Sequence, residues 1–265
     1  MRTCVAQRID PSFLRSPPPP LVDSERRVIV LWSPKSACTT TYVWFANLCG
    51  FLDEVRRHHE SPHRHRVEVF RLSRRYLDSV AEAASDFHVV RIIRDPHARA
   101  VSIFREALTS PISFADRDAR LAGLDFARGV SFQRFLQMVD RFDMENVDTH
   151  YRPQLHPLER ARKPDTVINI SKSDLFAALN ALEERQGWPK TDFAAMTWLH
   201  ALENARRPLP FPQADADDMF RTPIPRAQPK EQTPFPDYRS LLTPAAKTLI
   251  ESIYRDDFDA YRDFL

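Results

Sequence analysis

Lys35 stands in the run Ser33-Pro34-Lys35-Ser36-Ala37-Cys38-Thr39-Thr40, a full positive charge among small residues and hydroxyls. Residue types of that kind suit an anion: the ammonium supplies charge, while Thr39 and Thr40 can donate hydroxyl hydrogens to the same oxygens. The apolar run from Val28 to Trp32 breaks off at Ser33-Pro34. Thr41, Trp44, Phe45 and Leu48 then recur at helical spacing, and Gly50 supplies a stop. The pattern predicts a strand, a tight loop and a helix. A helix N-terminus adds outward-facing backbone N–H groups and the positive end of a dipole, so the backbone of Ser36 to Thr40 joins the candidate anion site. An ordinary strand-to-helix turn carrying a surface lysine would share these features. Residues 31–41 contain no glycine, so this is not the G-x-x-x-x-G-K-[ST] phosphate loop.

A second candidate is Arg94-Asp95-Pro96-His97-Ala98-Arg99-Ala100-Val101-Ser102, which closes the apolar run 87–93 and enters another helical pattern. Asp95-Pro96 is a cap followed by a first-turn proline. Arg94 offers a planar fork of donors to a phosphate, and Ser102 leans back toward the helix start. The competing reading pairs Arg94 with a carboxylate and packs Ser102 as a small residue. Four of the nine histidines, His58, His59, His63 and His65, cluster in one polar segment. Histidine suits a general base because its ordinary pKa is about 6.5. Glu60 is the competing carboxylate, and a solvated surface turn is the structural alternative. No cysteine or carboxylate pair completes a metal-ligand spacing here, so no metal is expected.

The elements that must position these residues alternate between strand and helix. Strands are expected at 28–32, 67–70, 87–93 and 166–170. Helices are expected from Thr41, over 73–84, from Asp95, over 130–142, from about Lys172 to Arg185, and from Leu242 to about Arg262. That order predicts an α/β fold with a central parallel sheet flanked by helices, and ligands in such folds sit at the carboxyl ends of the strands. Residues 1–24, with Pro17 to Pro20, read as an extended arm, and 25–265 as a single domain. Residues 208–236 hold eight prolines and read as a long loop.

Composition narrows the function classes. With 265 residues the chain can bury one substantial core. A net charge of +2 argues against nucleic acid as the partner. Cys4, Cys38 and Cys49 make no paired framework, and no apolar run approaches the ~20 residues of a membrane span. Arg2, Arg8, Asp10 and Arg15 interrupt the N-terminal stretch, so no signal peptide is expected. A cytoplasmic enzyme is the expectation, of unknown oligomeric state.

Pro34-Lys35-Ser36-Ala37-Cys38-Thr39-Thr40 resembles the 5′-phosphosulfate loop of sulfotransferases, closest to the carbohydrate branch, where Ala-Cys-Thr often replaces Gly-Thr-Thr. Arg94-Asp95-Pro96 with Ser102 resembles that family's 3′-phosphate site. His150-Tyr151-Arg152-Pro153-Gln154 is similar to the branch's His-Trp-Arg-Pro-Gln stretch. Leu242-Thr243-Pro244 with Tyr254-Arg255-Asp256-Asp257-Phe258 resembles its last helix. The resemblance implies a P-loop-like fold and 3′-phosphoadenosine-5′-phosphosulfate (PAPS) as co-substrate, without a metal. It assigns the 5′-phosphate and bridging oxygen to Lys35, further donor contacts to Ser36, Ala37, Cys38, Thr39 and Thr40, and the 3′-phosphate to Arg94 and Ser102. His63-Arg64-His65 is similar to the His-x-His stretch of uronyl 2-O-sulfotransferases, whose histidine is a base; His65, nearest the expected strand, is preferred over His63, with Glu60 as rival. His150 and Arg152 would face a carbohydrate or glycolipid-type acceptor. The Arg-Lys-Gly-x-x-Gly segment of another branch is missing, which leaves the adenine contacts open, with Arg221, Arg226 and Lys230 as available cations. A kinase-like phosphotransferase and a non-catalytic nucleotide- or anion-binding module are the alternatives.

Overall fold

The computed structural model describes residues 6–58, 61–109, 122–205, 209–210, 219–226 and 234–265. In chain order the elements are α1 (Pro11–Arg15), β1 (Leu21–Asp23), β2 (Val28–Leu31), α2 (Cys38–Leu48) and α3 (Leu52–Arg57). A one-turn helix (Pro62–Arg64), a π-helical turn (His65–Val69) and a 3-10 turn (Phe70–Leu72) lead to α4 (Arg74–Glu82) and β3 (His88–Ile93). Next come α5 (Pro96–Thr109), α6 (Phe132–Val139), α7 (Pro157–Ala161), β4 (Thr166–Asn169), α8 (Leu175–Gln186) and α9 (Thr197–Ala205). The chain closes with β5 (Leu209–Pro210), β6 (Pro234–Phe235), α10 (Tyr238–Leu241), α11 (Pro244–Ile253) and α12 (Arg255–Ala260). Among the described residues no helix is long and apolar enough to cross a membrane.

The chain forms two compact units. The first runs to Ile93 and includes Gln154–Met196 and Phe264. Its sheet has the order β1-β2-β3-β4, with β2, β3 and β4 parallel and β1 antiparallel at the edge. All four residues of β2 are fully buried, the signature of a central parallel strand covered on both faces. Burying each such Val, Ile or Leu contributes ~1.5–3 kcal/mol. Helix α2 is buried from Thr39 through Ala46, so it is a core helix with no solvent face. The expected α/β fold with a central, mainly parallel sheet is the one observed.

The second unit comprises Arg94–Pro153, Thr197–Asp263 and Leu265. Helix α11 packs on α5 and α6, and α10 on α5. Phe104 of α5 lies 5.2 Å from Phe132 and 5.1 Å from Phe135 between ring centroids.

Four expectations change. Residues 6–23 are not an extended arm: Leu14 is buried, α1 precedes the prolines, and Leu21-Val22-Asp23 adds an edge strand to β2. That strand is too short to show a period in sequence. The expected strand at 67–70 is helical, because Val67 and Val69 both face solvent while the turn buries His65, Arg66 and Phe70. The apparent alternation there marked an exposed face. The described part of the proline-rich stretch is not simply loop, since Met219, Phe220, Ile224 and Phe235 belong to the second unit's core. The C-terminal helix breaks at Tyr254, so that α12 and a 3-10 turn finish the chain.

Candidate active site

The loop between β2 and α2 takes the shape a glycine-rich loop would take, without a glycine. Lys35 (φ 67°) and Ala37 (φ 56°) are both left-handed, a conformation costing an L-residue ~1–2 kcal/mol. A buried network holds them there. Ser36 N–H donates to Ser33 C=O at 3.2 Å, and the Ser36 hydroxyl donates to Gln154 Oε1 at 2.7 Å. Arg91, fully buried within β3, donates to Ser33 Oγ at 2.9 Å and to the Gln154 carbonyl, and its Nε lies 3.4 Å from Glu159 Oε1. The first bond of α2 runs from Thr41 N–H to Ala37 C=O at 2.9 Å. The amides ahead of it precede the first intrahelical bond, and left-handed turns of this kind shape a backbone cradle that suits an anion. Ser36 itself is structural: it is fully buried and its hydroxyl and N–H serve the loop.

The brace carries a pH signature. His156 is 2% exposed, and its Nδ1 accepts from Leu158 N–H at 3.2 Å. Burial, with the Arg91 charge, pushes its pKa down to about 4 despite the Ser16 carbonyl beside it. A histidine depressed in the folded state contributes stability that is complete above its unfolded pKa near 6.5 and is lost as pH falls toward 4. That single group should withdraw roughly 2 kcal/mol between pH 7.5 and pH 5. Urea unfolding at the two pH values measures the drop. His156→Asn, which keeps a capping side chain and cannot titrate, should remove that share of it.

Cys38 reports the potential at the cradle. Burial raises its thiol, but His63, Arg66 and Lys35 outweigh burial and hold it well below the ordinary thiol range. Cations at the mouth of a helix N-terminus do the same for any anion placed there. Arg66 is 7% exposed, with its guanidinium 3.9 Å from the centre of the Trp32 ring, and the Trp32 indole donates to Pro19 C=O at 3.0 Å.

The histidine segment divides. His63 Nε2 lies 2.9 Å from Thr39 Oγ1 and 3.7 Å from Cys38 Sγ, so this ring touches the loop. His65 does not. It is 2% exposed, with Nδ1 2.7 Å from the Tyr42 hydroxyl and its ring stacked on Phe51. Burial, with His58 nearby, lowers its pKa although Glu54 opposes. The reading that favoured His65 rested on a strand that is a helical turn, and that turn points His65 into an aromatic core. Glu60 lies outside the described residues. Among the described residues no three His, Cys, Asp or Glu side chains gather as a metal set.

In the second unit, Arg94 precedes α5 and is half-buried, while Ser102 is 6% exposed. Asp95 Oδ1 accepts from Ala98 N–H at 2.9 Å and caps the helix. Burial, reinforced by Arg105 and Arg99 against Asp95 and Tyr238, draws the Arg94 pKa down to about 10. Crowded cations in a desolvated place are relieved by a bound anion. The C-terminal motif braces this helix start: Arg99 sits over the Tyr254 ring at 5.6 Å, and His97 packs edge-on against Phe258 at 5.0 Å. His150 is fixed by Asp148, with Nδ1 2.7 Å from Oδ1, and its carbonyl accepts from Arg99 at 3.1 Å. Arg152 Nε donates to Val147 C=O at 2.9 Å. Arg226 donates to Ala107 C=O at 2.9 Å, and Lys230 lies outside the described residues.

Sequence reasoning missed Arg66 and Arg91. Arg91 had a visible signal, a lone charge inside an apolar strand. Arg66 had none, because a strand over 67–70 leaves it in a connecting turn. Searches of curated proteins and of solved structures return no match. A scan against protein families matches the sulfotransferase family over residues 20–262. With that match spanning most of the chain, the chain belongs to the sulfotransferase family.

Proposed function

We propose that this sulfotransferase takes PAPS as donor and passes its sulfuryl group in line, without a metal, to a hydroxyl of a carbohydrate or glycolipid-type acceptor. The observation that carries the reading is the loop at Lys35: left-handed backbone at Lys35 and Ala37, braced from below, with cations strong enough to hold a half-buried thiol low. The acceptor oxygen bonds to sulfur while the bond from sulfur to the bridging oxygen breaks, and that electron pair ends on the phosphate. Lys35 and the N-terminus of α2 meet the charge that grows there. Arg94 and Ser102 take the 3′-phosphate, as the resemblance implies. The carbohydrate acceptor rests on the His150-Tyr151-Arg152-Pro153-Gln154 likeness, with Arg152 suited to a carboxylate or sulfate on a glycan.

Transfer of labelled sulfate from PAPS to a panel of neutral and acidic oligosaccharides and glycolipids tests this. Label in a carbohydrate product is expected, with ATP inert as donor. Phosphate transfer from ATP, or binding of nucleotide with no transfer to any hydroxyl, would overturn it.

A further inference from the structure

We infer that Arg66 is a positioning residue that fixes His63 in its Nε2–H form, so that His63 serves the loop as a hydrogen-bond donor and not as the base. The inference deepens the sulfotransferase reading and rests on it for its activity arm. Arg66 Nη2 lies 3.0 Å from His63 Nδ1. A guanidinium carries only hydrogens, so Nδ1 must be the acceptor and must keep its lone pair. An imidazolium has no such lone pair, so the contact belongs to the neutral ring. A neutral ring holds one N–H, which then sits on Nε2, the nitrogen 2.9 Å from Thr39 Oγ1.

Arg66 is not free to release this grip. His65 beside it in the π-helical turn and Phe70 at the start of the 3-10 turn that follows are buried among Tyr42 and Phe51, with Phe51 and Phe70 stacked at 5.2 Å. Its guanidinium lies on Trp32, which is tied to Pro19. Moving the His63 proton to Nδ1 would set N–H against N–H in a site that is largely desolvated. The bonds therefore share one polarity, Arg66 to His63 to Thr39, with every hydrogen directed toward the start of α2. Aligned donors polarise one another, and the Thr39 hydroxyl, once it accepts from His63, keeps its own hydrogen for donation. The acceptor substrate's proton must then leave to another group, for which the sequence offers Glu60.

Two measurements decide this. Long-range proton–nitrogen NMR on histidine-labelled protein distinguishes the tautomers, with the His63 signals assigned by their loss in His63→Gln. A protonated Nε2 and an unprotonated Nδ1 are expected in the wild type. Arg66→Lys, which keeps a donor, should preserve that pattern, and Arg66→Met should let the second tautomer appear. A wild-type proton on Nδ1 would overturn the inference without reference to any activity. In sulfuryl transfer, His63→Gln retains an amide N–H and should lose at least ~10-fold less turnover than His63→Ala, whose loss should reach ~10²-fold. Equal losses would return His63 to the role of base. Absence of transfer by the wild type would remove the sulfotransferase reading while the NMR result still judged the tautomer.

Discussion

Lys35→Ala should lower turnover by ~10²-fold or more, with weaker donor binding alongside. The lysine would meet charge that grows on the bridging oxygen as the sulfur–oxygen bond breaks. An interaction that strengthens in the transition state appears in kcat, whereas the share already present in the ground state appears in affinity. Lysine and alanine both carry a Cβ and meet the left-handed backbone at position 35 at similar cost, so alanine removes the ammonium while the Ser36–Gln154 and Arg91–Ser33 bonds still hold the loop. Turnover near that of the wild type would place Lys35 outside the site.

The same variant has a reporter that needs no substrate. Lys35 is one of two standing cations, with Arg66, that counter burial at the Cys38 thiol, and the His63 ring adds a hydrogen-bond contact. In Lys35→Ala the pH at which iodoacetamide alkylates Cys38 should move upward, yet stay below that of an ordinary thiol. Burial pushes the Cys49 thiol up instead, so that residue stays silent in the folded protein. Cys4→Ser removes the remaining thiol from the readout. An unmoved alkylation profile would show that the Lys35 charge does not reach the cradle.

What sequence made legible was local in origin. The run Val28 to Leu31, the break at Ser33-Pro34 and the helical spacing from Thr41 each act over a few residues, and they appear as β2, the loop and α2. The capped start at Asp95-Pro96 appears as α5 for the same reason. The strain at Lys35 and Ala37 was hidden, because left-handed backbone without glycine is imposed by distant partners. Gln154 and Arg91 hold the loop from far along the chain, and nothing within residues 33–40 announces them. The histidines failed more instructively. His63 and His65 differ by two positions, which in a strand puts them on one face. In the helical turn that forms, the same spacing sends one ring to Thr39 and the other to Tyr42. Secondary structure, not residue type, decided which histidine meets the loop.

Arg94→Ala should erase most of the preference for 3′,5′-adenosine bisphosphate over 5′-AMP. The two nucleotides share adenosine and a 5′-phosphate, so Lys35 and the start of α2 can receive either. Only the first carries the 3′-phosphate assigned to Arg94 and Ser102. A charge-assisted contact to that group should contribute ~1.5–3 kcal/mol, so the wild type should bind the bisphosphate at least ~10-fold more tightly. Arg94 is prepared for this role: burial and the nearby Arg105 and Arg99 draw its pKa down to about 10, still leaving it charged at neutral pH. An incoming phosphate relieves that crowding, which is why the arginine should gain more from the ligand than an exposed one would. Ser102→Ala removes a neutral donor and should reduce the preference less. Asp95 caps α5 independently, so the Arg94 variant keeps its helix start. Calorimetry on wild type and Arg94→Ala with each nucleotide closes a cycle that isolates the coupling between this guanidinium and the 3′-phosphate. Equal affinity of the wild type for both nucleotides would exclude the 3′-phosphate from the site, and with it PAPS as the donor, leaving a donor built on the 5′-phosphate chain alone.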